Sequence, residues 1–331
     1  MVNYVDMNAE LENHTSEQGQ TSAFVTRRQF VRNLIGVSAA VGALGPFGAQ
    51  ALARDPISRK GKPRLLLSLA AYSFRDRLTS TDVAKRMTLF DFIDFCADHG
   101  CHGTELTSYY FEKNFGTDYL VELKRRAFLR GLAISGTAVG NNFAQPDGPD
   151  LDREISETKR WIDNAAFLGA PHIRVFAGNP RGGTDRATAK RQCISALEIC
   201  GEYAATKGVW LGLENHGGIV SEVSDLLDII RAVSSPWVGV NLDTGNFYGE
   251  ADPYDDMARL APYAVNVQLK VEINRRGKGK EQTDLMRVIK ILSEANYQGY
   301  VALEYEAAED PMKAVPKWLA RMREAFAAMA R

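Results

Sequence analysis

Histidine and cysteine are scarce in this chain, and neither sign of charge is in excess. Its 331 residues include 5 His and 4 Cys, and its formal net charge is -1. Without a basic excess there is no electrostatic footprint for nucleic acid or for an anionic membrane surface, so neither partner is expected. No cysteine pair has zinc-finger spacing, and two that share a predicted helix are too far apart for a disulfide. We therefore expect buried free thiols at Cys96, Cys101, Cys193 and Cys200.

The first 53 residues contain the three regions of an export signal in the expected order. Thr26–Val31 reads Thr-Arg-Arg-Gln-Phe-Val, a twin-arginine pattern, and an uncharged stretch over 33–53 ends on the cleavage pattern Ala-Leu-Ala. These features predict a twin-arginine signal peptide over 1–53, the twin-arginine export machinery as a partner, and a periplasmic or otherwise extracytoplasmic protein. The mature chain should have no stable membrane span, although retention of the signal as an anchor stays open.

Eight apolar, β-rich runs alternate with helix-type segments over the rest of the chain. The runs begin near Leu65, Gly103, Leu132, His172, Val209, Val238, Val265 and Tyr300. Helical periodicity predicts helices over 82–98, 151–168, 184–206 and 221–233. This repeat predicts an α/β fold, a (β/α)8 TIM barrel, as a single domain over 65–331 after a short linker over 54–64. A doubly wound open sheet is the alternative, but the chain lacks the glycine-rich phosphate-binding fingerprint.

Four of the strand-like runs end on side chains with oxygen ligands, namely Glu214, Asp243, Gln268 and Glu304. In a barrel, the carboxyl ends of the strands meet at one mouth. An oxygen-rich pocket of this kind suits a hard or borderline divalent cation, Mg²⁺ or Mn²⁺ before a thiolate-loving metal. Glu214 and Glu304 follow fully apolar runs, so burial of their charges needs compensation, and a cation is the simplest compensation.

Other residues near the predicted mouth are candidates for substrate contacts. His216 could donate to a substrate oxygen or could cap its own loop. Lys270 could neutralise a developing oxyanion or could form a salt bridge with a strand-end carboxylate, and both interpretations stay open. Glu105 could hold a substrate hydroxyl, and Tyr72 and Phe176 could form a wall for a sugar ring.

The strand-end motifs resemble those of the sugar phosphate isomerase/epimerase family with a xylose isomerase-like TIM barrel, over roughly residues 65–330. They are Leu213-Glu214-Asn215-His216, Asn241-Leu242-Asp243-Thr244-Gly245-Asn246, Gln268-Leu269-Lys270 and Leu303-Glu304. The resemblance implies one divalent metal at Glu214, Asp243, Gln268 and Glu304, with Mn²⁺ or Mg²⁺ favoured and Co²⁺ or Zn²⁺ compatible. It also implies that the two Glu are catalytic and move protons at sugar carbons.

Two positions depart from the family pattern. The third metal ligand is usually His, and here it is Gln268. The His that usually stands three residues after the Asp is replaced by Asn246, which we assign to substrate binding. DNA-repair endonucleases of the same fold use three zinc ions held by many His, which this chain does not have.

The resemblance implies a metal-dependent isomerase or epimerase that acts on a carbohydrate through an enediolate. Export argues against a phosphorylated sugar, so a free, keto or glycosidic carbohydrate is expected. Elimination of the 3-keto-glycoside lyase or hydrolase type and a non-catalytic sugar-binding barrel are the alternatives. Retention of both Glu214 and Glu304 favours an enzyme, because a binding protein needs no proton-transfer pair. A homo-oligomer is compatible with the sequence.

Overall fold

The computed structural model describes residues 55–249, 251–275 and 279–329. The predicted signal segment over 1–53 therefore lies outside the described residues, and its cleavage and export stay predictions. Residues Leu52–Arg331 form one compact unit. Within the described part of this unit, no helix is both long enough and apolar enough to cross a bilayer.

Eight parallel strands close into a barrel, which confirms the predicted fold. Each barrel strand begins within two residues of its predicted start. The barrel strands are β1 (Arg64–Ala70), β2 (Gly103–Thr107), β3 (Ala133–Ala138), β4 (His172–Val175), β5 (Trp210–Glu214), β6 (Val238–Asp243), β7 (Ala264–Leu269) and β10 (Gln298–Leu303). A short antiparallel hairpin of β8 (Glu272–Arg275) and β9 (Gly279–Gln282) follows β7.

Helices connect successive barrel strands and cover the outside of the barrel. The longer ones are Leu89–Asp98, Thr117–Leu129, Pro149–Leu168, Arg186–Lys207, Val223–Ala232, Pro253–Leu260, Leu285–Glu294 and Pro311–Met329. Shorter helical turns span Ala71–Phe74, Arg75–Leu78, Ser108–Tyr110, Gly218–Val220 and Ala261–Tyr263. Helix Leu285–Glu294 buries Leu285, Val288, Ile289 and Leu292, which share one face at three-and-four spacing.

One predicted helix start is wrong by seven residues. The helix expected over 82–98 begins at Leu89. Thr88 and Asp91 form a capping box there, in which each side chain accepts a hydrogen bond from the other residue's backbone N–H. This reciprocal cap satisfies the first free N–H groups of the helix, so the apolar periodicity upstream of Thr88 does not extend it.

All four cysteines are buried free thiols, as expected from their spacing. Burial raises the pKa of the Cys200 thiol to about 12. A protonated, buried thiol is a poor nucleophile and a poor metal ligand. The cysteines therefore belong to the packing between barrel and helices.

Candidate active site

Four charged side chains meet at the carboxyl ends of β5, β6, β7 and β10. They are Glu214, Asp243, Lys270 and Glu304, with exposed fractions of 3%, 0%, 6% and 8%. Strand register sets their position, because β7 and β10 pair Leu269 with Leu303 and thus place the next residues side by side. The predicted convergence of strand-end side chains at one mouth is present for these residues.

The ammonium of Lys270 lies at the centre of this cluster. Its Nζ donates to Glu304 Oε1 at 2.6 Å and also to Glu306 Oε2. Asp243 Oδ2 lies 3.4 Å from the same nitrogen. Burial alone would lower the pKa of Lys270, but Asp243, Glu304 and Glu306 together raise it well above its usual value. Lys270 is therefore a fixed positive charge between three carboxylates, and of its two predicted roles the structure contains the salt bridge.

Asp243 has one oxygen bound by the backbone and one oxygen left over. Its Oδ1 accepts hydrogen bonds from the N–H groups of Gly245 and Asn246, at 2.7 and 3.2 Å. Its Oδ2 is buried without a hydrogen-bond partner among the described residues. Burial raises the pKa of Asp243 to about 7, and the negative charges of Glu214 and Glu304 act in the same direction. The nearest cation to this buried oxygen is the ammonium of Lys270, at 3.4 Å.

Glu214 is held by a cation on one side and an amide on the other. Arg174 Nε lies 3.0 Å from Glu214 Oε2, and Asn246 Nδ2 donates to Glu214 Oε1 at 3.0 Å. Burial raises the pKa of Glu214 to about 7, against the lowering effect of Arg174, and the charge of Glu304 raises it further. The two Glu thus interact electrostatically across the mouth, and Glu214 can take or give a proton near neutral pH.

Gln268 was predicted to bind a metal and Glu105 to bind a substrate hydroxyl, but in the structure both side chains bind other protein side chains. Gln268 Nε2 donates to Glu105 Oε1 at 2.6 Å, and Gln268 Oε1 accepts from Asn241 Nδ2 at 2.7 Å. Asn266 donates to the other Glu105 oxygen at 2.8 Å, and His172 Nε2 lies 3.7 Å from it. Burial would raise the pKa of Glu105, but these contacts lower it. Both side chains belong to a polar layer inside the barrel, where Glu105 has no exposed oxygen for a substrate hydroxyl.

The other predicted substrate contacts lie around the mouth. The His216 ring packs at a tilt of 48° against Phe176, with ring centroids 4.6 Å apart, and the guanidinium of Arg174 lies over the same phenyl ring at 3.8 Å. Partial burial and the Arg174 charge lower the pKa of His216, which favours the neutral imidazole. Tyr72 lies 5.8 Å from Lys270 Nζ, measured to the ring centroid. The structure therefore brings Tyr72, His216 and Asn246 to the same mouth.

Two cavities flank the charged cluster. One of about 200 Å³ has Lys270 and Glu306 in its wall, together with Gly245, Asn246, Tyr248, Val271, Glu272, Asn274, Lys280 and Ala307. The other, of about 210 Å³, has Glu214 and His216 in its wall, together with Asn141, Asn142, Phe176, Ala177, Gly178, Asn179, Arg181 and Val220. Their amide and aromatic linings suit a polar ring-shaped ligand such as a sugar.

The side chains at the mouth do not have the arrangement of a divalent-metal site. Among the residues that the structure describes, no group of three or more His, Cys, Asp and Glu side chains could hold a metal ion. Lys270 occupies the space between Asp243 and Glu304, and Arg174 neutralises Glu214. Gln268, the fourth predicted ligand, has its amide oxygen bound to Asn241. As arranged here, the predicted ligand set does not fit the metal.

Sequence reasoning missed two residues of the mouth. Arg174 is a buried charge within the strand run His-Ile-Arg-Val, and an arginine in such a run is itself a signal for a buried ion pair. Glu306 stands two residues beyond Glu304, so in an extended segment the two side chains point the same way. Arg174 fixes Glu214, and Glu306 supplies a second hydrogen-bond acceptor to Lys270.

Residues 93–322 match the family described as Xylose isomerase-like TIM barrel. No curated protein matches the chain. Among similar solved structures is the 3-keto-D-glucoside 4-epimerase YcjR from E. coli, at 16% identity and a TM-score of 0.63 over 79% of this chain and 100% of that one.

Two further similar structures have the same fold. A D-psicose 3-epimerase, solved in the presence of D-fructose, has 16% identity and a TM-score of 0.63 over 79% of this chain and 97% of its own. The IOLI protein, solved with a zinc atom, has 15% identity and a TM-score of 0.62 over 78% of this chain and 96% of its own. At these identities the likeness establishes the fold alone.

Proposed function

We propose a function from the premise that this chain belongs to the xylose isomerase-like TIM barrel family. It acts as a carbohydrate isomerase or epimerase, which moves a proton at a carbon beside a sugar carbonyl. The observation on which this rests is the pair Glu214 and Glu304, two buried carboxylates at one mouth, where the charge of Glu304 helps to raise the pKa of Glu214. The names of the similar structures, a keto-glucoside epimerase and a psicose epimerase, support the same substrate class.

Proton transfer by a carboxylate pair explains the arrangement of the mouth. One Glu takes the proton from the carbon, the C–H electron pair forms a carbon–carbon double bond, and the carbonyl oxygen becomes an enediolate oxyanion. The second Glu, or the first after the intermediate shifts, returns a proton to the same carbon, which gives epimerisation. Return of the proton to the former carbonyl carbon gives isomerisation, and the proton of the adjacent hydroxyl then passes to the oxyanion. A positive group beside the oxyanion stabilises the intermediate more than the ground state. Lys270 is such a group, since its ammonium lies beside Glu304.

The remaining side chains orient the sugar. Asn246 holds Glu214 through its amide, and Arg174 holds the opposite carboxylate oxygen. Phe176 and His216, whose rings are tilted by 48° to each other, form part of the wall of the cavity beside Glu214, where a sugar ring can contact them. Because a rigid ring packed on an aromatic face has few orientations, this wall limits which carbon reaches the carboxylates.

The proposed substrate is a free, keto or glycosidic carbohydrate in an extracytoplasmic compartment, and this part follows from the predicted signal segment. Elimination from a 3-keto glycoside is the closest alternative, because it begins with the same proton removal and ends with loss of a leaving group. A site that binds the divalent metal predicted from the sequence is the alternative to the site with Lys270 at its centre. It has support from the zinc atom of the IOLI structure, and it requires that Lys270 leave the cluster.

Solvent-deuterium exchange into candidate keto sugars tests the proposal. Wild-type protein should introduce deuterium beside the carbonyl, and Glu214→Gln and Glu304→Gln should each reduce the rate by about 10²–10⁴. The matched control is Glu309→Gln, because Glu309 pairs with Lys317 on the surface. Unchanged exchange in both active-site variants would exclude this pair as the proton carriers and would favour the sugar-binding alternative.

A further inference from the structure

We infer that the ammonium of Lys270 permanently takes the cation position of this mouth, so that the chain holds the substrate oxyanion without a divalent metal. The cation of the site is thus Lys270 rather than a metal ion, whatever the substrate is. Only the identity of the oxyanion rests on the proposed sugar chemistry.

Lys270 directly follows β7 and continues its alternation of side chains. Side chains two residues apart on a strand point to the same face, so Gln268 and Lys270 both point into the barrel. Gln268 lies one step deeper and bonds to Glu105 and Asn241 in the barrel interior. Lys270 lies at the level of the strand ends, beside Glu304. The residue directly after β7, which faces the strand-end carboxylates, is therefore a lysine.

The strand-end carboxylates already have a positive counter-charge in Lys270. Lys270 Nζ donates to Glu304 and Glu306 and lies 3.4 Å from Asp243 Oδ2. A divalent ion bound to Asp243 and Glu304 at metal–oxygen distances of roughly 2.0–2.4 Å would have to occupy the same space. The two cations would repel each other strongly in a buried site. One cation therefore excludes the other.

Lys270 has one N–H donor that is not used by Glu304 or Glu306 and can bind a substrate oxygen. An ammonium has three N–H donors, and Glu304 and Glu306 accept two of them. The third N–H can bind the carbonyl oxygen of the sugar and, after proton removal by a Glu, the enediolate oxygen that replaces it. Asp243 Oδ2 is buried 3.4 Å from the same ammonium and adds a third negative charge that keeps the ammonium in place. The lysine can therefore bind the substrate oxygen that a metal would otherwise hold.

Metal binding in the absence of any sugar tests this inference separately from the proposed function. The full-length chain is freed of metal with a chelator and titrated with Mn²⁺, with binding measured by calorimetry and by the loss of the free-ion paramagnetic resonance signal. Wild type should show no saturable binding. Lys270→His, which removes the ammonium and supplies a neutral nitrogen ligand, should gain one equivalent of Mn²⁺. Lys207→His is the matched control, because Lys207 forms a surface ion pair with Asp163, and it should behave as wild type.

Two results would overturn the inference. One is saturable binding of one equivalent of Mn²⁺ by wild type that disappears in Asp243→Asn. The other is a folded Lys270→His variant that binds no more Mn²⁺ than wild type. Where circular dichroism shows that Lys270→His is unfolded, Lys270→Gln replaces it in the same comparison, with the same expected gain of binding. Failure to find a sugar substrate would leave these metal titrations unaffected.

Discussion

The ammonium of Lys270 lies 2.6 Å from the carboxylate of Glu304, and both residues are less than one-tenth exposed. A salt bridge this well buried has a large desolvation cost, which good geometry and additional hydrogen bonds must offset. Here Glu306 and Asp243 provide the additional contacts. The stability of the mouth therefore depends on the lysine as much as the proposed chemistry does.

Replacement of Lys270 by Met should destabilise the folded chain by about 3–5 kcal/mol, because Asp243 and Glu304 would remain buried without a counter-charge. Urea unfolding in a buffer with chelator measures this loss. The double variant Lys270→Met/Glu304→Gln should recover part of it, since one of the unpaired charges is gone. Lys207→Met, at a surface ion pair, should change the unfolding midpoint little. Equal midpoints for wild type and Lys270→Met would contradict the prediction.

Stability should fall as pH rises from about 5 to about 7.5. The pKa values of Glu214 and Asp243 are raised to about 7 in the folded state, chiefly by burial. Between its usual pKa and the raised one, each carboxyl group binds a proton in the folded state but not in the unfolded state, so the contribution is present at low pH and lost through pH 7. Urea midpoints across this range should decline less in Glu214→Gln and in Asp243→Asn. Parallel pH curves for all three proteins would be the contrary outcome.

Gly136→Ala should disturb the polar layer around Glu105 by displacing the ring of His172. A Cβ atom at Gly136 would lie 2.0 Å from Cε1 and 2.5 Å from Nε2 of His172, a distance at which the imidazole must move away from Glu105. Overpacking of this kind costs about 2–3 kcal/mol. Gly116→Ala is the control, because a Cβ there meets no atom within 4 Å, and its cost should be under about 1 kcal/mol. Thermal unfolding of both variants gives the comparison, and similar melting temperatures would refute the steric argument.

Export should depend on the arginine pair at the N-terminus. Arg27→Lys/Arg28→Lys should retain the chain in the cytoplasm, whereas wild type should reach the periplasm with an N-terminus near Arg54. Fractionation and N-terminal sequencing measure both properties. Arg32→Lys, which alters a basic residue outside the pair, should be exported as wild type. Identical cytoplasmic distribution of all three forms would rule out this route.

The carboxylates of the mouth could be predicted because their signal is local. Glu214 and Asp243 are the last residues of their strands, and Glu304 directly follows β10. A strand that is buried on both faces reads as a nearly continuous apolar run, so a charged residue at its end stands out. Once the repeat indicates a barrel, the shared mouth follows from the geometry of the fold.

The partners of these carboxylates could not be read from the chain in the same way. Gln268 and Lys270 share a strand face, and which of them reaches the mouth depends on the stagger between β7 and β10, a property of the closed sheet. Arg174 approaches Glu214 from β4, and contacts between strands distant in sequence have no periodic signature. The polar layer around Glu105 joins residues more than 160 positions apart and was missed for the same reason.

The polar layer around Glu105 is built from barrel strands, whereas the cavity wall beside Glu214 is built largely from loops. Glu105, Asn241, Asn266 and Gln268 all lie on strands and fix one another by hydrogen bonds. The cavity beside Glu214, in contrast, has a wall formed largely by residues of the loops after β3 and β4. If the proposed function holds, a mutant library confined to residues 140–146 and 178–184 would therefore change the choice of sugar and leave Glu214, Asp243, Lys270 and Glu304 in place.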